Sequence, residues 1–244
     1  MARIHFILQG KGGVGKSVTA SLLAQHKAER GEHPLCIDTD PANATFHGYK
    51  ALQAKLLSIT DQENEIDPRN FDVLVELIAN AENDDVIIDN GASSFMALSR
   101  YLVSNQVPDL LLEMGHEVIV HSVITGGQAL VDTIHGFDAL ASQYPEDVKF
   151  VVWLNPYWGA IEFEGKSFEK MAVYKTHKDR IVAIIKIPEL KKELAGRDFS
   201  EMLQARKTFN EAIDSPELTI MTRQRLKLVK KQIFEQLDLV TGII

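Results

Sequence analysis

Gly10-Lys11-Gly12-Gly13-Val14-Gly15-Lys16-Ser17 decides how the rest of this 244-residue chain is read. The stretch satisfies the spacing G-x-x-x-x-G-K-[ST] in full, and each position has a chemical reason. Glycines let successive backbone N–H groups turn inward around an anion without Cβ clashes. Lys16 reaches the outer phosphates of a nucleotide, and Ser17 offers a hydroxyl to Mg²⁺. The following helix directs its positive end at the same anion. The setting also fits: Ile4–Gln9 ahead of the loop reads as a strand, and Ser17–Arg30 behind it as a helix ending at Gly31. Gly12, Gly13, Val14, Gly15, Lys16, Ser17 and Val18 are therefore the expected nucleotide contacts.

Further along, Pro34–Asp38, Val86–Asp89, Glu117–Ile124, Phe150–Asn155 and Ile181–Ile187 are short, β-branched runs. Several are apolar without alternation, as in strands buried on both faces. Helical patterns lie between them, at Phe71–Ala79 and at Leu130, Ile134, Phe137 and Ala141. This alternation predicts a doubly wound α/β fold, with a mainly parallel sheet, helices on both faces and one domain over residues 1–244. Composition agrees: 45% hydrophobic and 25% charged residues exclude intrinsic disorder, and a lone Cys36 excludes an internal disulfide scaffold. With no signal-peptide layout and no apolar run near the ~18 residues of a membrane span, the expected location is the cytoplasm. The net charge of −8 argues against wholesale coating of nucleic acid.

Two acidic stretches sit where open α/β sheets place ligand-facing residues, at the carboxyl ends of strands. Asp38-Thr39-Asp40-Pro41 closes the second strand, and Asp84-Asp85-Val86-Ile87-Ile88-Asp89 is an apolar strand ended by a carboxylate. Phosphoryl transfer needs a metal, positive charge and an oriented water more than covalent help. The ordinary reading of both stretches is a strand running into a turn, since Asp, Pro and Asn-Gly favour turns by themselves.

Lys11, with Gly12–Ser17, resembles the signature lysine of the deviant Walker A ATPases, the ParA/MinD group. That resemblance implies a homodimer on ATP binding, Lys11 crossing to the partner's phosphates. It also implies that Asp40 positions the attacking water with Asp38 in support, and that Asp89 holds Mg²⁺ together with Ser17. The catalytic set is then Lys11, Lys16 and Asp40. Two departures stand out: Ala42-Asn43-Ala44-Thr45 replaces the usual Gln after the proline, and Asn90-Gly91 follows Asp89. Asn155 matches a base-contacting asparagine, and Ile187-Pro188-Glu189 the segment whose backbone lines adenine. A guanine site of the N-K-x-D type needs a carboxylate where Trp158 stands, so ATP is preferred. Tyr157 and Trp158 cover the base, meet a partner, or simply pack.

The strings Ile88–Phe95, Trp153–Gly159 and Thr219–Arg225 resemble a subgroup encoded in the transfer regions of conjugative plasmids. The implied role is in conjugation, with transfer machinery or a relaxosome protein as partner. Near the end, Leu226, Val229, Ile233, Leu237 and Val240 form one stripe of a helix around 217–240, beside Arg223, Arg225, Lys227, Lys230 and Lys231. Such a helix packs on its domain, meets DNA or a partner, or lies on a membrane, in that order of preference. The eight histidines predict no metal site. Alternatives to a hydrolysing switch are a nucleotide-stabilised adaptor with negligible hydrolysis and a small-molecule ligase or kinase.

Overall fold

The apolar runs form parallel strands in the computed structural model, which describes residues 1–244 apart from 41, 62, 64 and 82–84. Pro41 and Asp84, both parts of the motifs above, lie outside the described residues. In chain order the strands are β1 (Arg3–Ile7), β2 (Leu35–Asp38), β3 (Lys55–Leu56), β4 (Val86–Asp89), β5 (Glu117–Thr125) and β6 (Lys149–Asn155). A short antiparallel hairpin, β7 (Glu162–Phe163) and β8 (Lys166–Ser167), precedes β9 (Ile181–Lys186). The main sheet has the order β3-β2-β4-β1-β5-β6-β9 with every ladder parallel. Parallel neighbours need crossovers, which the helices supply: α1 (Lys16–Glu29), α2 (Asn70–Ala79), α3 (Phe95–Ser104), α4 (Val107–Glu113) and α5 (Leu130–Gln143). They continue with α6 (Ala172–His177), α7 (Ala195–Gln204), α8 (Phe209–Ile213) and α9 (Ile220–Asp238). The fold is doubly wound α/β, as the sequence predicts.

Each face of the sheet carries its own apolar core. Phe71 and Leu74 of α2, Leu98 and Leu102 of α3, Leu111 of α4 and Phe137 of α5 pack on Ile4, Phe6 and Ile88. On the other face Leu22 and Leu23 of α1, Phe199 of α7, Phe209 of α8 and the α9 stripe pack on Ile7, Ile87 and Trp153. Leu226, Val229, Ile233 and Leu237 are all buried. At about 1.5–3 kcal/mol for each such side chain, this seam holds α9 on the domain. The helix ends at Asp238, so Val240 of the predicted stripe lies past it, only partly buried. Two of the five basic residues are spent inside the fold, Arg225 on Asp198 and Lys230 on Glu29.

A polar chain runs through the second core. The Trp153 indole donates to His121 Nδ1 at 2.9 Å, and His121 Nε2 lies 3.0 Å from His5 Nδ1. Burial first, then the Lys27 ammonium, holds His121 down to about 3; His5 is also lowered well below the ordinary range, chiefly by burial. Neutral rings satisfy both His121 nitrogens and His5 Nδ1, leaving His5 Nε2 without a partner, where charged rings would lack water.

Candidate functional site

Strand register brings the site together. Asp89 of β4 is in register with both Ile7 of β1 and Asp38 of β2, so three strands release their loops side by side. β1 lies between β4 and β5, where the winding reverses and a crevice opens at the carboxyl edge. The loop from β1 enters that crevice. β1 stops at Ile7, short of the predicted Gln9, because Gln9 turns its side chain inward. Its amide donates to the carbonyls of Val123 (3.1 Å) and Thr133 (3.0 Å), and its Oε1 accepts from Gly10 N (2.9 Å).

The loop then wraps into α1. Gly15 has φ +108°, and a Cβ there would meet the Asn155 amide nitrogen at 2.9 Å, so both conformation and space require glycine. Asn155 Nδ2 donates to the Val14 carbonyl at 2.8 Å, and Trp158 Nε1 donates to the Gly13 carbonyl at 3.2 Å. The end of β6 therefore braces the loop from outside. Lys16 is nearly buried and donates to the Lys11 carbonyl at 3.1 Å. Burial lowers its pKa, while Asp89 and Asp40 oppose the shift. Lys11 is exposed and pairs with Asp132 of α5 at 2.7 Å.

The carboxylates differ sharply in surroundings. Asp38 accepts from Asp40 N (2.9 Å) and His47 N (2.8 Å), and burial raises its pKa against those bonds. Asp40 accepts through Oδ1 from Ala42 N (2.9 Å) and Asn43 N (3.3 Å), and through Oδ2 from Asn43 Nδ2 (3.3 Å). The Ala42-Asn43 departure thus closes Asp40's own turn. Asp89 is 1% exposed, and neither carboxylate oxygen has a hydrogen-bond partner among the described residues. Burial pushes its pKa up to about 8, with Ser17 and Lys16 opposing. A dry carboxylate facing a hydroxyl is a fit for a divalent cation with oxygen ligands.

Beside the loop lies a cleft of about 810 Å³, lined by Gly13, Gly15, Val18, Asn155, Tyr157 and Pro188 among others. Three of the predicted loop residues, Gly13, Gly15 and Val18, therefore share one cavity with Asn155 and Pro188, whereas Gly12, Val14, Lys16 and Ser17 do not line it. Tyr157 lines it and Trp158 reaches the loop beside it, both more than half exposed rather than packed in a core. Sequence reasoning missed Gln9, Asp132 and the buried pair Thr39 and Ser94; Asn90 read as a turn residue. Only the β-strand registers place these against the loop, apart from Asn-Gly, whose position after Asp89 was a visible signal.

The chain belongs to the CobQ/CobB/MinD/ParA nucleotide binding domain family, which it matches over residues 5–237. It is 65% identical over 238 residues to Protein TraL of Escherichia coli, with 98% of each chain covered. A second Escherichia coli TraL is 63% identical over the same length. Among solved structures, the MinC:MinD cell division protein complex of Aquifex aeolicus gives a TM-score of 0.55 at 16% identity, covering 96% of each chain. The septum site-determining protein MinD with Mg-ADP from Pyrococcus horikoshii gives 0.53 at 20% identity, covering 100% of this chain and 98% of that one. These two likenesses establish the doubly wound fold.

Proposed function

We propose that the protein is an ATP-driven switch acting in conjugative transfer, with the whole chain, residues 1–244, as its working unit. The observation that carries the reading is the convergence of Lys16, Asp38, Asp40 and Asp89 on one crevice. Backbone N–H groups of Gly12–Ser17 cradle the phosphates, and Lys16 neutralises their outer charge. Ser17 and Asp89 would hold Mg²⁺, which when bound draws charge from the phosphate oxygens. Asp40 orients a water toward the terminal phosphate, with Asp38 fixing its backbone through the Asp40 N–H. The base enters the cleft between Asn155 and Pro188, adenine being preferred. Lys11 leaves Asp132 and reaches the nucleotide of a second copy, making a dimer that holds transfer machinery, a relaxosome protein or plasmid DNA until hydrolysis. The likeness to TraL supports the conjugative setting. Among the described residues no helix is long and apolar enough to cross a membrane, and the working location proposed is the cytoplasm, with peripheral membrane contact less favoured.

The deciding experiment is molecular mass by light scattering with Mg-ATP and with Mg-ADP, using Asp40→Ala to trap the bound state. A dimer with ATP and a monomer with ADP is expected; a monomer in both, with nucleotide bound, rejects the switch. A second reading, an adaptor with negligible hydrolysis, is favoured by one feature: both Asp40 oxygens are engaged by its own turn. Sustained turnover on adding a partner would remove it.

A further inference from the structure

Asp40 rests against Gly91. A Cβ on Gly91 would come within 2.6 Å of Cγ and of Oδ1 of Asp40, and within 3.1 Å of its Cα. Gly91 has no left-handed φ, so its backbone would accept alanine. The three nearest atoms in its way all belong to Asp40.

Asn90 in turn fixes Gly91. Its Oδ1 lies 3.1 Å from the Thr39 hydroxyl and 2.8 Å from the Ser94 hydroxyl, and its Nδ2 donates to the Gly91 carbonyl at 3.1 Å. Thr39 Oγ1 also lies 3.1 Å from the Asp89 carbonyl, and Ser94 Oγ lies 3.2 Å from that of Gly91. Thr39, Asn90 and Ser94 are at most 1% exposed. The clasp joins the residue before Asp40 to the residue after Asp89. Buried networks of this kind are satisfied in only one arrangement, so they hold two loops at a set separation.

We propose that Asn90 and Gly91 are the positioning residues of hydrolysis: Asn90 clasps the ends of β2 and β4 together, and Gly91 is the stop that sets the Asp40 carboxylate. The proposal rests on the reading of Asp40 as the water-orienting group. It assigns work to the Asn-Gly pair that a plain turn does not have. Displacing an orienting group by about 1 Å costs up to roughly a hundredfold in rate, whereas nucleotide affinity depends on the loop and Lys16.

The test uses the full chain with Mg-ATP and compares wild type, Asp40→Ala, Gly91→Ala and the double variant. Gly91→Ala is expected to lower kcat by roughly tenfold to a hundredfold with the ATP Kd unchanged within about twofold. Its Tm is expected to fall, and to recover in part when Asp40→Ala removes the clashing carboxylate and leaves only the 3.1 Å approach to the Cα. Thr39→Val and Asn90→Ala should each lower kcat, and the pair together should do no worse than either, since both open one clasp. Wild-type turnover in Gly91→Ala, with Asp40→Ala inactive, overturns the proposal and leaves the reading of Asp40 standing. Equal losses of kcat and ATP affinity overturn it too, as general damage. If Gly91→Ala does not fold, the double variant decides: folded supports the clash, unfolded rejects it. If Asp40→Ala hydrolyses like wild type, the reading of Asp40 fails and the proposal with it.

Discussion

Lys11 and Asp132 form a 2.7 Å ion pair that ties the phosphate loop to the first turn of α5. Both side chains are about half exposed. An exposed pair is a weak restraint and is screened by salt. Asp132→Ala, by freeing Lys11, should therefore tighten ATP-dependent dimerisation, by no more than about fivefold for each of the two pairs a dimer breaks, and the gain should shrink at high ionic strength. Lys11→Ala should abolish the dimer while ATP still binds. Sedimentation across a concentration series reads both.

Asp89 gives the site a pH signature. Its pKa of about 8 lies above the ordinary carboxylate value, so the folded chain holds a proton that the unfolded chain lacks between about pH 4 and 8. Stability falls as pH rises through that window. Asp89→Asn should remove this contribution, leaving the apo protein more stable than wild type at and above pH 8. Mg²⁺ should raise the wild-type Tm and leave the variant unmoved. Thermal scans with and without Mg²⁺ make the comparison.

The buried histidines act in the opposite sense. His121 titrates near 3 in the folded chain and near 6.5 when unfolded, so the unfolded chain takes up protons first. Stability is full above about pH 6.5 and declines as pH falls toward 3. His121→Gln keeps an acceptor for Trp153 and removes the titrating ring. Denaturant midpoints between pH 4 and 6 should then show a slope shallower by up to about 1.4 kcal/mol per pH unit.

Trp153 is fully buried, whereas Trp158 is 58% exposed and bonded to the loop at Gly13. A nucleotide-induced change in tryptophan emission should therefore come from Trp158 and vanish in Trp158→Phe. Loss of one hydrogen bond to the loop should weaken ATP binding by about tenfold at most. Fluorescence titration with ATP measures both effects.

Lys227 and Lys231 project from α9 at exposed positions, while Arg225 and Lys230 bind it to Asp198 and Glu29. Reversing the first two to Glu should leave Tm within about 1 °C, as usual for surface sites. Retention on immobilised DNA should also be unchanged if α9 is a packed helix. Reduced retention would instead assign the face to DNA.

The central strands and the loop were legible because buried parallel strands lack alternation, and Val86–Asp89 is apolar until its carboxylate. The α9 stripe was legible for the matching helical reason. No helix was legible at α3, α4, α6, α7 or α8, all of ten residues or fewer and so too short to show more than about three turns of apolar repeat. β3 has two exposed residues and no apolar signature. His5 and His121 come from strands 116 residues apart in sequence, so only the register of β1 against β5 reveals their contact. Asn90 looked like punctuation because its acceptor role depends on Thr39, which arrives from another strand.

β1 also dictates an order of assembly. Its neighbours are β4 and β5, so the strand that launches the phosphate loop gains its second partner only once residues 117–125 have left the ribosome. Until then the nascent chain offers a bare apolar edge of the kind that chaperones meet. Pairings over such separations close slowly. The candidate phosphate loop is thus synthesised well before the strand that completes its setting.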